Sequence, residues 1–168
     1  MIETTIAGLS LRLATKNDVP QILSFIQALA EYEKLAHQVV ATEDKLAATL
    51  FGDKAFAEVV IADYQGKPAG FALFFHNYST FLAKPGIYLE DLFVDPSLRG
   101  KGIGKALITY LAKLAVERDC GRLEWSVLDW NQPAIDFYQS LGATMLDDWR
   151  INRVTGPTLQ AMAQQFPG

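Results

Sequence analysis

Between Ile87 and Arg118 the chain reads IYLEDLFVDPSLRGKGIGKALITYLAKLAVER, an apolar run that stops at a proline, bends through closely spaced glycines and resumes as a periodic segment. Ile87, Tyr88, Leu89, Leu92, Phe93 and Val94 are β-branched, aromatic or aliphatic, and Asp95-Pro96 is a turn signal, so this run is expected to be a strand. Gly100, Gly102 and Gly104 follow. Ala106, Leu107, Tyr110, Leu111, Leu114 and Ala115 then recur as one face of a helix does. The first N–H groups of a helix lack internal partners, and the helix dipole adds partial positive charge there. Glycines let these groups turn into one concavity with no side chain in the way, and Arg99, Lys101 and Lys105 surround it with charge. A phosphate is the expected occupant; a tight glycine turn that only packs a helix on a sheet is the plain alternative.

Spacing separates the phosphate loops that use such a bend. A Walker loop, G-x-x-x-x-G-K-[ST], does not fit, because Gly100 and Gly104 stand one residue too close and Ala106 replaces the hydroxyl that would hold magnesium. A Rossmann turn, G-x-G-x-x-G, does not fit G-K-G-I-G, although Glu124 lies about where a ribose-binding acid would. The run Arg99 to Gly104, R-G-K-G-I-G, matches [QR]-x-x-G-x-[GA], the acyl-CoA pyrophosphate loop of the GNAT superfamily of N-acetyltransferases. Downstream, Asn131-Gln132-Pro133-Ala134, Phe137-Tyr138 and Leu141-Gly142-Ala143 resemble that superfamily's second signature, N-x-x-A-x-x-F-Y-x-x-x-G. Within the superfamily the chain is most similar to the spermidine/spermine and thialysine N-acetyltransferases, through LAEYEK at 29–34, YLEDLFV at 88–94, RGKGIG at 99–104 and WNQPAIDFY at 130–138. Leu92 departs from that subfamily's usual phenylalanine, and the hairpin at 63–67 looks shorter than in the animal enzymes. Both departures bear on the preferred amine.

With 168 residues the chain is long enough to bury a core of its own, and one domain over 1–168 is expected. Its hydrophobic share is 50% and its charged share 20%, a globular composition with no apolar run of membrane-spanning length. MIETTIAGLSLRL lacks the basic start and cleavage site of a signal peptide, so a cytoplasmic protein is expected. One cysteine, Cys120, forms no internal disulfide and reads as a structural thiol, and His37 and His76 have no metal-ligand spacing, so no metal is expected. A net charge of -4 argues against nucleic acid and is compatible with cationic substrates.

In chain order, residues 9–14 alternate as a first strand, Thr15 with Asp18 caps a helix, and Thr42 caps a second helix through Leu50. Ala57 to Ala62 and Pro68 to Phe75 form a hairpin around Asp63 to Lys67, and His76 to Gly86 reads as a loop. Arg122 to Leu128 is a strand, a helix begins near Pro133 and closes at Gly142, Met145 to Val154 supplies one or two last strands, and Thr155 to Phe166 a terminal helix. The pattern is α/β. The resemblance specifies it as the GNAT (acyl-CoA N-acyltransferase) fold: a mixed central sheet splayed after the fourth strand, with helices on both faces.

The resemblance also implies the ligands and their residues. Acetyl-CoA is the co-substrate: Leu92, Phe93 and Val94 pair with its pantetheine arm, residues Arg99, Gly100, Lys101, Gly102, Ile103, Gly104 and Lys105 wrap its pyrophosphate, and Asn131, Pro133 and Ala134 belong to the motif along the arm. An N–H near Leu92 meets the developing oxyanion. Tyr138 is the general acid, and Glu90 binds the amine and takes its proton through water. Asp91 is the other candidate base; consecutive positions on a strand would send the two carboxylates to opposite faces. Tyr32 and Glu33 form an amine-binding wall faced by Glu124, Trp125 and Ser126, and Tyr32 and Trp130 are candidates to cover a cation by cation–π contact.

An alkylamine of pKa near 10 must lose a proton before it attacks a thioester, so carboxylates beside an acyl-CoA loop suit this chemistry. The expected activity is direct acetyl transfer to a primary amine of a small cationic molecule: a polyamine, a diamine or a lysine-like side chain. A protein N-terminal or lysine acetyltransferase and a non-catalytic CoA-binding regulatory module are the other classes. A homodimer with the C-terminal strand at its interface is expected from the resemblance.

Overall fold

The computed structural model describes residues Met1 to Gly168. The chain divides into two compact units, Met1–Leu128 and Asp129–Gly168.

The first unit carries one six-stranded sheet whose spatial order follows the chain. Its strands are β1 (Ile2–Glu3), β2 (Leu9–Leu13), β3 (Glu58–Tyr64), β4 (Lys67–Ser79), β5 (Lys84–Val94) and β6 (Leu123–Trp125). The first four junctions are antiparallel and β5–β6 is parallel, so the sheet is mixed as expected. The strand before the glycine bend is the fifth rather than the fourth, because Ile2–Glu3 adds a short strand that sequence periodicity missed.

Helices α1 (Val19–Tyr32) and α2 (Glu43–Phe51) cover one face. Thr42 Oγ1 accepts from the Lys45 N–H at 3.2 Å and caps α2 as the sequence indicates, whereas Thr15, whose N–H donates to Asp18 at 2.7 Å, caps a single 3-10 turn (Lys16–Asp18) that leads into α1. Ile22, Phe25, Leu46 and Leu50 pack there on Val59, Ile61, Phe71 and Phe93, with the Phe25 and Phe71 rings stacked at 5.4 Å. Burying each of these side chains contributes about 1.5–3 kcal/mol. Helix α3 (Ile103–Glu117) lies on the other face, where the next residue, Arg118, donates bidentately to Glu58 and lies 5.9 Å over the Phe74 ring.

Two sequence expectations change in this unit. The Gln65-Gly66 turn has positive φ at both residues (51° and 79°), the geometry of the tightest hairpins. The segment expected as a loop, His76 to Gly86, instead extends β4 and β5, which pair His76↔Ile87, Asn77↔Gly86, Tyr78↔Pro85 and Ser79↔Lys84. Cross-strand pairing there outweighs a local composition poor in strand formers.

The second unit holds α4 (Gln132–Ser140) and α5 (Gly156–Ala163). Asn131 caps α4 through its Oδ1 and the Ala134 N–H, and Gly142 at φ 93° follows its C-cap as expected. Met145 to Val154 contains no strand, although it reads as one or two in sequence. Its alternating apolar residues find no strand partner, and an edge without pairing does not hold β geometry.

Candidate active site

The chemistry gathers where β5 loses a neighbour. Its parallel pairing with β6 covers only Ile87 to Leu89, and from Glu90 to Val94 no strand pairs with that edge. This is the splay expected before the glycine bend. At the same point β5 carries a β-bulge: Phe74 pairs with Leu89 and Leu73 with Asp91, leaving Glu90 as the extra residue. Beyond it the Asp95 N–H donates to Ala69 O at 2.8 Å, so by the alternation of an antiparallel ladder the backbone groups of Leu92 and Val94 point away from β4, toward the open edge. Upstream it is the Ile87 N–H that faces β6, donating to Arg122 O at 3.0 Å. The bulge therefore switches which residues present their backbone outward.

It also redirects the carboxylates. Asp91 pairs with Leu73, which packs against the α1–α2 core, whereas Leu89 pairs with Phe74 on the α3 face. Because the bulge breaks the two-residue period, Leu89 and Asp91 lie on opposite faces where an unbroken strand would place them on the same one. Asp91 enters the face covered by α1, near the charges of Glu90 and of Glu33 at the end of that helix. Burial first, then Glu90 and Glu33, push the Asp91 carboxyl up to about 6. Burial and the charge of Glu90 also raise Glu33. Three carboxylates thus share one field beside the open strand edge.

The glycine bend has the form an anion requires. Gly102, the N-cap of α3, has φ 82°, and no acidic residue stands in the first turn. Gly100 also has φ 82°, and a Cβ there would meet nothing within 4 Å. Gly104 has no positive φ, and its position would place a Cβ 3.7 Å from Val94 Cγ2, an ordinary contact. Ile103, the first residue of α3, has a buried side chain and so offers a ligand only its backbone, while Arg99, Lys101 and Lys105 are exposed. An open strand edge leading to an uncovered, cationic helix N-terminus fits acetyl-CoA, which needs an extended partner for its arm and N–H donors for its pyrophosphate.

Other residues singled out in sequence take different parts. Tyr32 does cover a cation, but that cation is Arg99 of the bend, its Cζ 5.0 Å from the ring centroid. Glu124 lies on β6, where Arg122 ion-pairs with it at 2.7 Å and Asn77 Nδ2 donates to it at 3.1 Å, so its charge is already matched. Trp125 follows it on β6, and Ser126 Oγ shares a hydrogen bond of 2.7 Å with the Tyr88 hydroxyl. In the second unit, Pro133 is exposed and Ala134 half-buried in the first turn of α4, and Tyr138 stands later on that helix with its ring 5.4 Å from Phe137. Tyr64, which sequence reasoning passed over, holds Lys101 Nζ 5.6 Å from its ring centroid; nothing in the turn sequence marks it. No group of three or more His, Cys, Asp or Glu side chains is placed to hold a metal ion.

Comparison with known proteins agrees with this geometry. The acetyltransferase (GNAT) family model matches residues 24–143. The chain is 38% identical to an L-ornithine N5-acetyltransferase of Arabidopsis thaliana over 90% of this chain and 86% of that one. It is 37% identical to a thialysine N-epsilon-acetyltransferase of Bos taurus, over 94% and 98% respectively. Among solved structures, an integron cassette protein from the mobile metagenome of V. cholerae superposes with a TM-score of 0.79 at 28% identity, covering 94% of this chain and 99% of that one. An open-edged strand, an anion-binding glycine bend and a family match across both sequence signatures converge: the chain belongs to the GNAT family of acetyltransferases and is an N-acetyltransferase.

Proposed function

We propose that this enzyme transfers the acetyl group of acetyl-CoA directly to a primary amine at the end of a short cationic chain, with lysine-like side chains such as thialysine or ornithine, diamines and polyamines as the substrate class. The observation that carries this reading is the field shared by Glu33, Glu90 and Asp91 beside the open edge of β5. A cationic amine is the ligand that three crowded carboxylates favour, because it relieves the repulsion that raises Asp91. The names of the relatives support the same class.

Acetyl-CoA supplies an activated thioester; the remaining work belongs to the chain. Leu92 and Val94 offer outward backbone groups to the cofactor arm, and the N–H groups from Gly102 onward, with Arg99, Lys101 and Lys105 around them, hold the pyrophosphate. The Leu92 N–H is the donor for charge developing on the carbonyl oxygen. Glu90 is exposed at the bulge and meets the incoming ammonium. Asp91, pushed up to about 6, has a proton affinity better matched to neutral pH than an ordinary aspartate, so it shares with Glu90 the task of taking the amine proton, directly or through water. Tyr138 has the role the resemblance implies, returning a proton to the released thiolate.

The dimer is part of the same proposal. Met145, Leu146, Trp149, Ile151 and Val154 are exposed, and α5 buries no residue, so the C-terminal unit has apolar surface that a second copy would cover. No helix is long and apolar enough to cross a membrane. A cytoplasmic setting fits a chain whose one cysteine, Cys120, is free.

The test is thiol release from acetyl-CoA against spermidine, spermine, putrescine, thialysine, ornithine, lysine and a lysine-bearing peptide, with Tyr138→Phe alongside. Turnover of free amines, falling about a hundredfold or more in the variant while CoA still binds, is expected. Acetylation of the peptide alone would transfer the assignment to protein modification, and CoA binding without turnover would make the chain a regulatory module.

A further inference from the structure

The two cations that flank Gly100 are each held against an aromatic ring from another element. Arg99 lies on Tyr32, the last residue of α1, and Lys101 lies on Tyr64, the last residue of β3. The brackets differ in what stands behind them. Tyr64 leads into the Gln65-Gly66 turn, which is tied to the β1–β2 connection by the Gln65 N–H donating to Gly8 O at 2.8 Å. Tyr32 leads directly into Glu33, a member of the carboxylate group with Glu90 and Asp91. The end of α1 is firmly closed: the Glu33 N–H donates to Leu29 O at 2.9 Å, Lys34 adopts φ 62°, and the Leu35 N–H returns to Ala30 O at 2.8 Å. Tyr32 and Glu33 therefore sit on one rigid terminus, with one residue touching the glycine bend and the next facing the carboxylates.

We propose that Tyr32 is a positioning residue through which the cofactor loop and the amine-binding carboxylates are coupled, so that each ligand tightens the binding of the other. The proposal rests on the reading of the site as an amine acetyltransferase. A guanidinium held over a ring by its cation–π contact still has N–H donors for phosphate oxygens. The contact orients Arg99 for the pyrophosphate, and an Arg99 held by both phosphate and ring fixes Tyr32, whose closed helix end passes that constraint to Glu33 as one rigid piece. An amine bound at Glu33 fixes the position of the same rigid terminus and returns the effect to Arg99, as reciprocity of coupling requires. Tyr64 holds Lys101 by the same physics but leads to no carboxylate of the group, so it serves as an internal control.

CoA is titrated by calorimetry with and without saturating thialysine, and separately spermidine, for wild type, Tyr32→Phe, Tyr32→Leu and Tyr64→Leu. In wild type the amine should tighten CoA by about threefold or more, the size expected for one cation–π contact. Tyr32→Phe keeps the ring and should keep the factor. Tyr32→Leu should weaken CoA and bring the factor to one, whereas Tyr64→Leu should weaken CoA and keep it. Arg99→Lys, which retains charge and loses the guanidinium that lies over the ring, should also bring the factor to one and does not depend on the folding of Tyr32→Leu. Coupling that survives Tyr32→Leu and Arg99→Lys, or that disappears equally in Tyr64→Leu, overturns the proposal. Amine turnover by the same wild-type preparation separates the two failures: turnover without coupling sinks this link alone, and no turnover with no amine effect sinks it together with the function it rests on.

Discussion

Asp91→Asn tests the charge reasoning at the site through stability as well as rate. The carboxyl goes from 3.8 to about 6 on folding, and at 1.36 kcal/mol per pH unit between those values its ionisation in the folded protein costs about 3 kcal/mol. The folded value lies above the unfolded one, so the native state binds the proton more tightly. Stability then falls as pH rises from about 4 through about 6, and the full cost is present above the folded value. Asparagine has nearly the same shape and no charge. The variant should be more stable than wild type by up to about 3 kcal/mol at pH 8, with the gap closing toward zero at pH 4. Urea midpoints at several pH values measure this directly. A gap that is independent of pH, or a variant less stable than wild type at pH 8, would refute the claim that Asp91 is held ionised against burial and two like charges. Amine turnover should move the opposite way, losing rate and losing the rise with pH near 6, because the strained carboxylate is also the one matched to the proton it takes.

Three other expectations follow from named contacts. Gly102→Ala forces φ 82° on a residue with a Cβ and brings that Cβ within 3.0 Å of Ile6 Cδ1, so it should cost about 1–2 kcal/mol and weaken CoA binding, read by thermal melting and calorimetry. Gly104→Ala, with ordinary φ and a contact of 3.7 Å, should leave both readouts within about 1 kcal/mol of wild type. Arg12 donates through Nε to Asp63 at 2.6 Å and through both terminal nitrogens to Asp18 at 2.9 and 3.0 Å, joining β2, the start of α1 and β3. Arg12→Met should cost about 2 kcal/mol at pH 7; since Arg12 also holds the Asp18 carboxyl below its usual range, the loss should shrink as pH falls below the unfolded value of 3.8.

The glycine bend, the two capped helix starts, the close of α4 at Gly142 and the α/β order were legible in the sequence because each depends on neighbours a few residues away. Backbone freedom at glycine, a side-chain oxygen reaching an N–H three residues on and the period of a helix face are all local physics. The acyl-CoA loop and its family followed from two such local motifs, each with its own spacing. What the tertiary structure alone decided is which residues meet. The bulge at Glu90 arises from pairing with β4, and it places Asp91 on the α1 face where an unbroken strand would not. Glu124 is engaged by Arg122 and Asn77, and Tyr32 lies against Arg99, contacts that no local pattern announces. The end of β6 at Trp125, which opens the edge of β5, is likewise a fact of partners. These are contacts between residues tens of positions apart. No local propensity encodes them, because their energy exists only once the sheet and the helices across its faces have assembled.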